Sequence, residues 1–214
     1  MEKINKVEIT EAYDAVAKVY AEKYKDEIML KPKVQQFIAD FVAGIDKAGL
    51  ICDMGCGPGQ VARYLANNLG RKTAGVDLSP KMIEEAALAN PGIEFICADV
   101  FDMDERPQYA GIIGLYFIVN FPPAQLISLF QKLHGLLPPK GKLLLSFHIG
   151  NDELNRLESF WDSGKPCDFY FFKTSTVIDA LLNAGFNVTE TRFRDPDIGV
   201  EYNSQRAYVF TEAL

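Results

Sequence analysis

The stretch Ile51-Cys52-Asp53-Met54-Gly55-Cys56-Gly57-Pro58-Gly59-Gln60-Val61 decides the fold, because an apolar run there ends in an acid, turns through three alternating glycines and enters an amphipathic segment. It reads as strand, tight loop, helix. Glycines at 55, 57 and 59 accept positive φ and leave no Cβ between the backbone and a ligand. Pro58 sets φ near the helix start, where a missing N–H costs nothing. The helix expected over 59–69 carries Val61, Ala62, Leu65, Ala66 and Leu69 along one face. Its N-terminus, with unpaired donors and a partial positive charge, points at whatever the loop holds. Such a loop is a seat for a nucleotide or a cofactor.

Spacing narrows the choice. A dinucleotide fingerprint, G-x-G-x-x-G, needs a small residue where Gln60 stands, and a phosphate-binding P-loop needs a Gly-Lys-Ser or Gly-Lys-Thr that the chain lacks.

The chain has 214 residues, 48% hydrophobic and 24% charged, enough to bury one sizeable core. One domain is expected, with 1–45 as N-terminal helices, 49–148 as a cofactor-binding core, 149–174 as a substrate cap and 175–214 as a C-terminal helix and hairpin. The net charge is −7 with no block of lysines or arginines, which disfavours a nucleic-acid partner. The N-terminal stretch Met-Glu-Lys-Ile-Asn-Lys lacks the apolar core of a leader, and the longest apolar run, 110–119, is too short to span a bilayer. A cytoplasmic protein without a membrane partner is the expectation, as monomer or homodimer. Cys52, Cys56, Cys97 and Cys167 show no Cys-x-x-Cys spacing, and the two histidines, His134 and His148, have no acids at ligand spacing. Neither disulfides nor a metal site are expected.

Residues 8–25 carry Tyr13, Val16, Ala17, Tyr20 and Tyr24 on one helical face. This helix either packs on the sheet or closes over the ligand as a lid. A second helix runs from Lys31-Pro32 to Gly44. From residue 49 onward strands and helices alternate, the pattern of a parallel sheet covered on both faces. Strands are expected over 50–53, 71–76, 93–98, 111–119 and 142–148. Helices are expected from Pro80 to Asn90, from Pro122-Pro123 to Pro138-Pro139, and over 175–183. A final hairpin spans 186–194 and 203–212. The stretch 150–173 breaks the rhythm with Phe160, Trp161, Phe169, Tyr170, Phe171 and Phe172, which either wall an acceptor pocket or fill core.

In open parallel sheets ligands sit beyond the carboxyl ends of the strands. Three acids stand there. Asp77, 22 positions after Gly55, can accept two hydrogen bonds from a ribose diol, or favour the N-terminus of the helix that Ser79 caps. Asp99 can take the exocyclic amine of adenine while Val100 offers its N–H and Phe101 an apolar wall; an ordinary loop acid is the alternative. Asp53 can orient the amino group of a bound amino acid.

The segments Asp53-Met-Gly-Cys-Gly-Pro-Gly, Gly75-Val-Asp-Leu-Ser-Pro-Lys-Met, Cys97-Ala-Asp-Val and Ala184-Gly-Phe together resemble a small class I S-adenosylmethionine-dependent methyltransferase from about residue 10 to 212. Tyr13-Asp-Ala-Val-Ala-Lys-Val-Tyr-Ala, Ser146-Phe-His-Ile-Gly and Arg206-Ala-Tyr resemble one bacterial-type branch of unassigned substrate. The resemblance implies a Rossmann-like, doubly wound α/β sheet of seven strands in the order 3-2-1-4-5-7-6, strand 7 antiparallel, beneath an N-terminal helical lid. It implies S-adenosylmethionine as donor and S-adenosylhomocysteine as product. Beside the residues above it places Cys56, Leu78, Met82, Tyr116 and Tyr20 at the cofactor. In that branch a histidine is expected where Asn120 stands.

A sulfonium methyl is already activated, so alignment of acceptor, methyl and sulfur is the main task, and such positioning supplies ~7–11 kcal/mol in favourable cases. A poor nucleophile also needs a base. His148 is the histidine placed to serve, unless it is structural. Asn120 either bonds substrate or caps the helix after it. The expected activity is methyl transfer to a small-molecule acceptor. The competing readings are a NAD-dependent oxidoreductase and a non-catalytic cofactor-binding module.

Overall fold

The computed structural model describes residues 4–197 and 201–214. The first three residues, part of the stretch read above for a leader, and 198–200 lie outside it. Helices are α1 (Lys6–Tyr24), α2 (Pro32–Ala43), α3 (Gln60–Arg63), α4 (Pro80–Ala89), α5 (Leu126–Gly135) and α6 (Thr174–Asn183). Strands are β1 (Ile51–Met54), β2 (Thr73–Asp77), β3 (Glu94–Cys97), β4 (Gly111–Leu115), β5 (Lys142–His148), β6 (Glu153–Leu157), β7 (Cys167–Phe171), β8 (Phe186–Arg194) and β9 (Arg206–Ala213).

Seven strands form one sheet in the order β3-β2-β1-β4-β5-β9-β8, and β6 pairs with β7 apart from it. The first five of the sheet run parallel. β9 runs antiparallel to both β5 and β8. With the β6–β7 hairpin set aside, this is the seven-stranded order implied by the resemblance, its last strand reversed.

Side chains on a strand alternate between faces, so β5 feeds two cores at once. Leu143, Leu145 and Phe147 join α5 and α6 on one side. Leu144 joins α2 and α3 on the other. α1 stands outside this double layer and packs through Ala12, Val16 and Ala17 against Met82 of α4 and Phe160 and Cys167 of the hairpin region.

Three expectations change. The helix after the loop keeps α geometry only to Arg63 and widens into a π turn over Tyr64–Asn68, where the Leu69 N–H reaches the Tyr64 carbonyl at 3.2 Å. The fourth strand ends at Leu115, not 119: Tyr116 takes φ 59°, gives its N–H to Ser146, and starts the 3-10 turn Phe117–Asn120. An unbroken apolar run reads the same in a buried strand and a buried turn, which is why periodicity did not separate them. The stretch 150–173 contains the β6–β7 hairpin, whose strands show no two-residue alternation of burial that the sequence could have displayed.

Leu144 is fully buried between neighbouring strands. Leu144→Ala is expected to lower stability by ~2–5 kcal/mol in urea unfolding followed by circular dichroism; a loss under ~1 kcal/mol contradicts this packing.

Candidate cofactor and acceptor site

The loop after β1 is held at three points. The Gly55 and Cys56 N–H groups both donate to the Val76 carbonyl, at 2.8 and 3.0 Å. The Gly57 N–H donates to Asp77 Oδ2 at 2.8 Å. Asp53 Oδ2 accepts the Ala62 N–H at 2.9 Å, joining the acid before the loop to the helix after it. Gly57 has φ +51°, and a Cβ there would meet nothing within 4 Å. That open space is the cradle. Gly59, at φ +83°, caps α3 instead, and a Cβ on it would stand 2.8 Å from the Phe95 ring.

Burial sets the electrostatics. Asp53 is 2% exposed, and desolvation, helped by the charge of Asp77, pushes its pKa up to about 7 against the pull of the Ala62 N–H. Burial also raises the pKa of Asp77, opposed by the N–H groups of Ser79 and Gly57.

A cavity of about 170 Å³ opens over the carboxyl ends of the strands. Among the predicted residues, Asp53, Gly55, Cys56, Gly57, Asp77, Leu78, Met82, Tyr20, Tyr116 and Asn120 line it. A smaller recess of about 40 Å³ continues past Gly55, Asp77 and Leu78 to Asp99 and Val100. Phe101 lines neither; it packs edge-on to Phe121, with the Lys6 ammonium 5.4 Å from its ring centre. Lys6 also pairs with Asp99 Oδ2, and Ile4, which lines both spaces, gives its N–H to Gln125 Oε1 at 2.8 Å. Ile4 and Lys6 therefore lie across the crevice.

Asn120 lines the cavity, yet both ends of its amide are engaged. Its Oδ1 accepts the Tyr13 hydroxyl at 3.2 Å, and its Nδ2 donates to the Asp168 carbonyl at 2.7 Å. It clasps α1 and β7 to the 3-10 turn rather than capping the helix that follows, whose start carries no side-chain cap. His148 lines neither space. Its ring stacks on Phe171 with centroids 4.9 Å apart, and Nδ1 lies 2.6 Å from Ser204 Oγ. Burial, with Arg206 adding, pulls its pKa down to about 4. The six aromatic residues of 150–173 are not among those lining the cavity. Phe160 and Trp161 instead back α1, at 5.2 Å from the rings of Tyr13 and Tyr20 respectively.

Sequence reasoning missed the far end of the cavity, formed by Glu27, Lys31, Val34, Leu115 and Tyr208. Lys31 registers in sequence only as the residue before a helix-starting proline. Nothing local joins it to Tyr208, 177 positions on.

The arrangement fits an adenosyl group. Asp77 stands at the end of β2 beside a glycine without neighbours, and the recess beyond offers a carboxylate and Val100, whose N–H opens a 3-10 turn and has no partner within it.

A family model described as a methyltransferase domain matches residues 51–141. The trans-aconitate 2-methyltransferase of Mycobacterium tuberculosis is 38% identical over 65 residues, 30% of this chain and 24% of that protein. The carboxy-S-adenosyl-L-methionine synthase of Geobacter metallireducens is 31% identical over 123 residues, 51% of this chain and 49% of that protein. The chain thus spans a quarter to a half of the length of these curated relatives. Magnesium protoporphyrin IX methyltransferase from Synechocystis PCC 6803, solved with S-adenosylmethionine bound, shares the fold with a TM-score of 0.73 at 20% identity, over 98% of this chain and 97% of that one.

From about pH 4 to about pH 7 the folded protein keeps a proton on Asp53 that the unfolded chain has released. Its stabilising contribution is complete below the unfolded value and is lost as pH rises through about 7. Asp53→Asn is expected to flatten this loss, with an upper bound on the order of 4 kcal/mol, in urea midpoints compared at pH 5 and pH 8. Parallel pH profiles for the two proteins would contradict it.

Proposed function

We propose that this chain, whose residues 51–141 match a family model described as a methyltransferase domain, is a class I methyltransferase that transfers a methyl group from S-adenosylmethionine to a small-molecule acceptor. One observation carries the reading: the bare loop and Asp77 share a single cavity that continues beyond them to a separate tyrosine-lined end. Asp77 would hold the ribose hydroxyls, Asp99 and Val100 the adenine edge, and the 55–57 backbone with Asp53 the methionine tail. When bound, the donor supplies a sulfonium methyl ready for in-line displacement.

The chain's own part is positioning and exclusion of water. α1 lies over the cavity and brings Tyr13 and Tyr20 into it, so α1 acts as the lid over a donor-binding core of 49–148, while α2 packs on the sheet. Asp53 is tied to the helix backbone, Asn120 to Tyr13 and Asp168, and His148 to Ser204 outside the cavity. These ties favour a mechanism without a general base, in which the acceptor brings its own lone pair and alignment contributes ~7–11 kcal/mol. This reading drops the catalytic roles considered for His148 and Asn120.

Two measurements test it. The product S-adenosylhomocysteine is expected to bind in calorimetry, NAD not, and Asp77→Ala to weaken product binding by ~1.5–3 kcal/mol in a variant with an unchanged melting profile. Binding of NAD alone would overturn the reading. The His148 ring, with a pKa near 4, is expected to stay neutral in NMR titration from pH 8 down to pH 5; a midpoint above 6 would contradict the buried environment described for it.

A further inference from the structure

The cavity reaches past the place a donor would occupy. The donor contacts named above run from β3 to β1, whereas Tyr208 sits on β9, three strands beyond β1, roughly 14 Å at the usual strand spacing. That far end is walled by Tyr208 and Leu115 and by Tyr20 and Tyr116, which the family resemblance places at the cofactor instead, and Lys31 and Glu27 form an ion pair there.

Lys31 precedes α2, and its side chain is 10% exposed. Its ammonium meets Glu27 at 2.5 Å and also pairs with Glu201. An ammonium has three N–H donors, so two carboxylates leave one. Behind it the charge is uneven. Arg194 grips both oxygens of Glu201 at 2.7 and 2.8 Å, and Arg206 stands 3.8 Å from the same carboxylate while donating to the Tyr116 hydroxyl at 3.2 Å. Among the described residues, three cations with side chains no more than 10% exposed thus face two carboxylates, Glu201 and Glu27. Asp197 reaches Arg194 at 3.4 Å from a side chain 60% exposed, where water screens it. One positive charge is left in a region of low dielectric. Tyr20, at the same end, makes no hydrogen bond through its hydroxyl among the described residues, and burial keeps that hydroxyl protonated, a donor.

We propose that Lys31 and Tyr20 form a carboxylate seat and that the methyl acceptor is a small organic acid, its apolar body against Tyr116, Tyr208 and Leu115. The inference rests on the methyltransferase reading. Glu27, one turn before Lys31 and 23% exposed, is the partner that yields to the incoming carboxylate, while Glu201 stays with its arginines.

The test uses the full chain saturated with S-adenosylhomocysteine, with trans-cinnamate and the uncharged trans-cinnamamide as probes in calorimetry. Wild type is expected to bind the acid at least about tenfold more tightly than the amide. Lys31→Met is expected to lose that preference while holding S-adenosylhomocysteine within about twofold of wild type. Tyr20→Phe, which removes only the hydroxyl, is expected to weaken the acid about threefold to tenfold and leave the amide unchanged. Equal binding of acid and amide, or no binding of the acid at millimolar concentration, overturns the proposal. A Lys31→Met protein that loses S-adenosylhomocysteine about tenfold overturns it as well, since the seat then belongs to the donor's own carboxylate. Failure of wild type to bind S-adenosylhomocysteine is a different result, which removes the methyltransferase reading and this inference with it.

Discussion

The carboxylate of Asp77 joins parts of the molecule that would otherwise meet only through the sheet. It accepts the Gly57 N–H of the loop after β1 and, through its other oxygen, the Ser79 N–H at the start of α4. One side chain thus holds two loop ends at the height where the strands stop. Burial penalises its charge, and the two N–H groups offset that penalty. Under the function proposed above, the O–H groups of a ribose diol would be further donors to the same carboxylate.

From that edge the cavity is closed from above by elements that belong neither to the parallel strands nor to their covering helices. Asn120 is the clasp, bonded to Tyr13 on α1 and to the Asp168 carbonyl on β7. Its burial requires such partners, because an amide shut away from water and left unbonded costs about 1–3 kcal/mol. Phe160 and Trp161 form the outer support of α1, and Tyr13 and Tyr20 of α1 line the cavity. In the proposed methyl transfer, excluding water would fall to these elements rather than to any acid or base.

The same cavity separates two kinds of recognition along the sheet. At the β2 and β3 ends stand carboxylates suited to hydroxyl and amino donors. Toward β9 stand Lys31, Arg194 and Arg206, gathered on Glu201. On the proposed reading, a donor that carries sugar and base would be told from an acceptor of different charge by which end it enters. The fold alone says nothing on this point, since one fold hosts many activities.

Much of this was legible in the chain itself. Three glycines between an apolar run and an amphipathic one, an acid 22 positions after the first of them, and strands alternating with helices are local patterns. They express backbone freedom, capping and burial within a few residues, so a parallel sheet and the placement of Asp53, Asp77 and Asp99 at strand ends could be read before any coordinates, while the strand order came only from the family resemblance. What tertiary structure alone decided was which side chains meet at distance. Tyr116 leaves the strand because its backbone turns through positive φ toward Ser146; Asn120 becomes a clasp because α1 and β7 converge on it; His148 is stacked away from the cavity; Lys31 finds Glu201 and, across the cavity, Tyr208. Each depends on contacts between segments more than 20 positions apart, where the geometry of chain closure, and not local propensity, sets the partner.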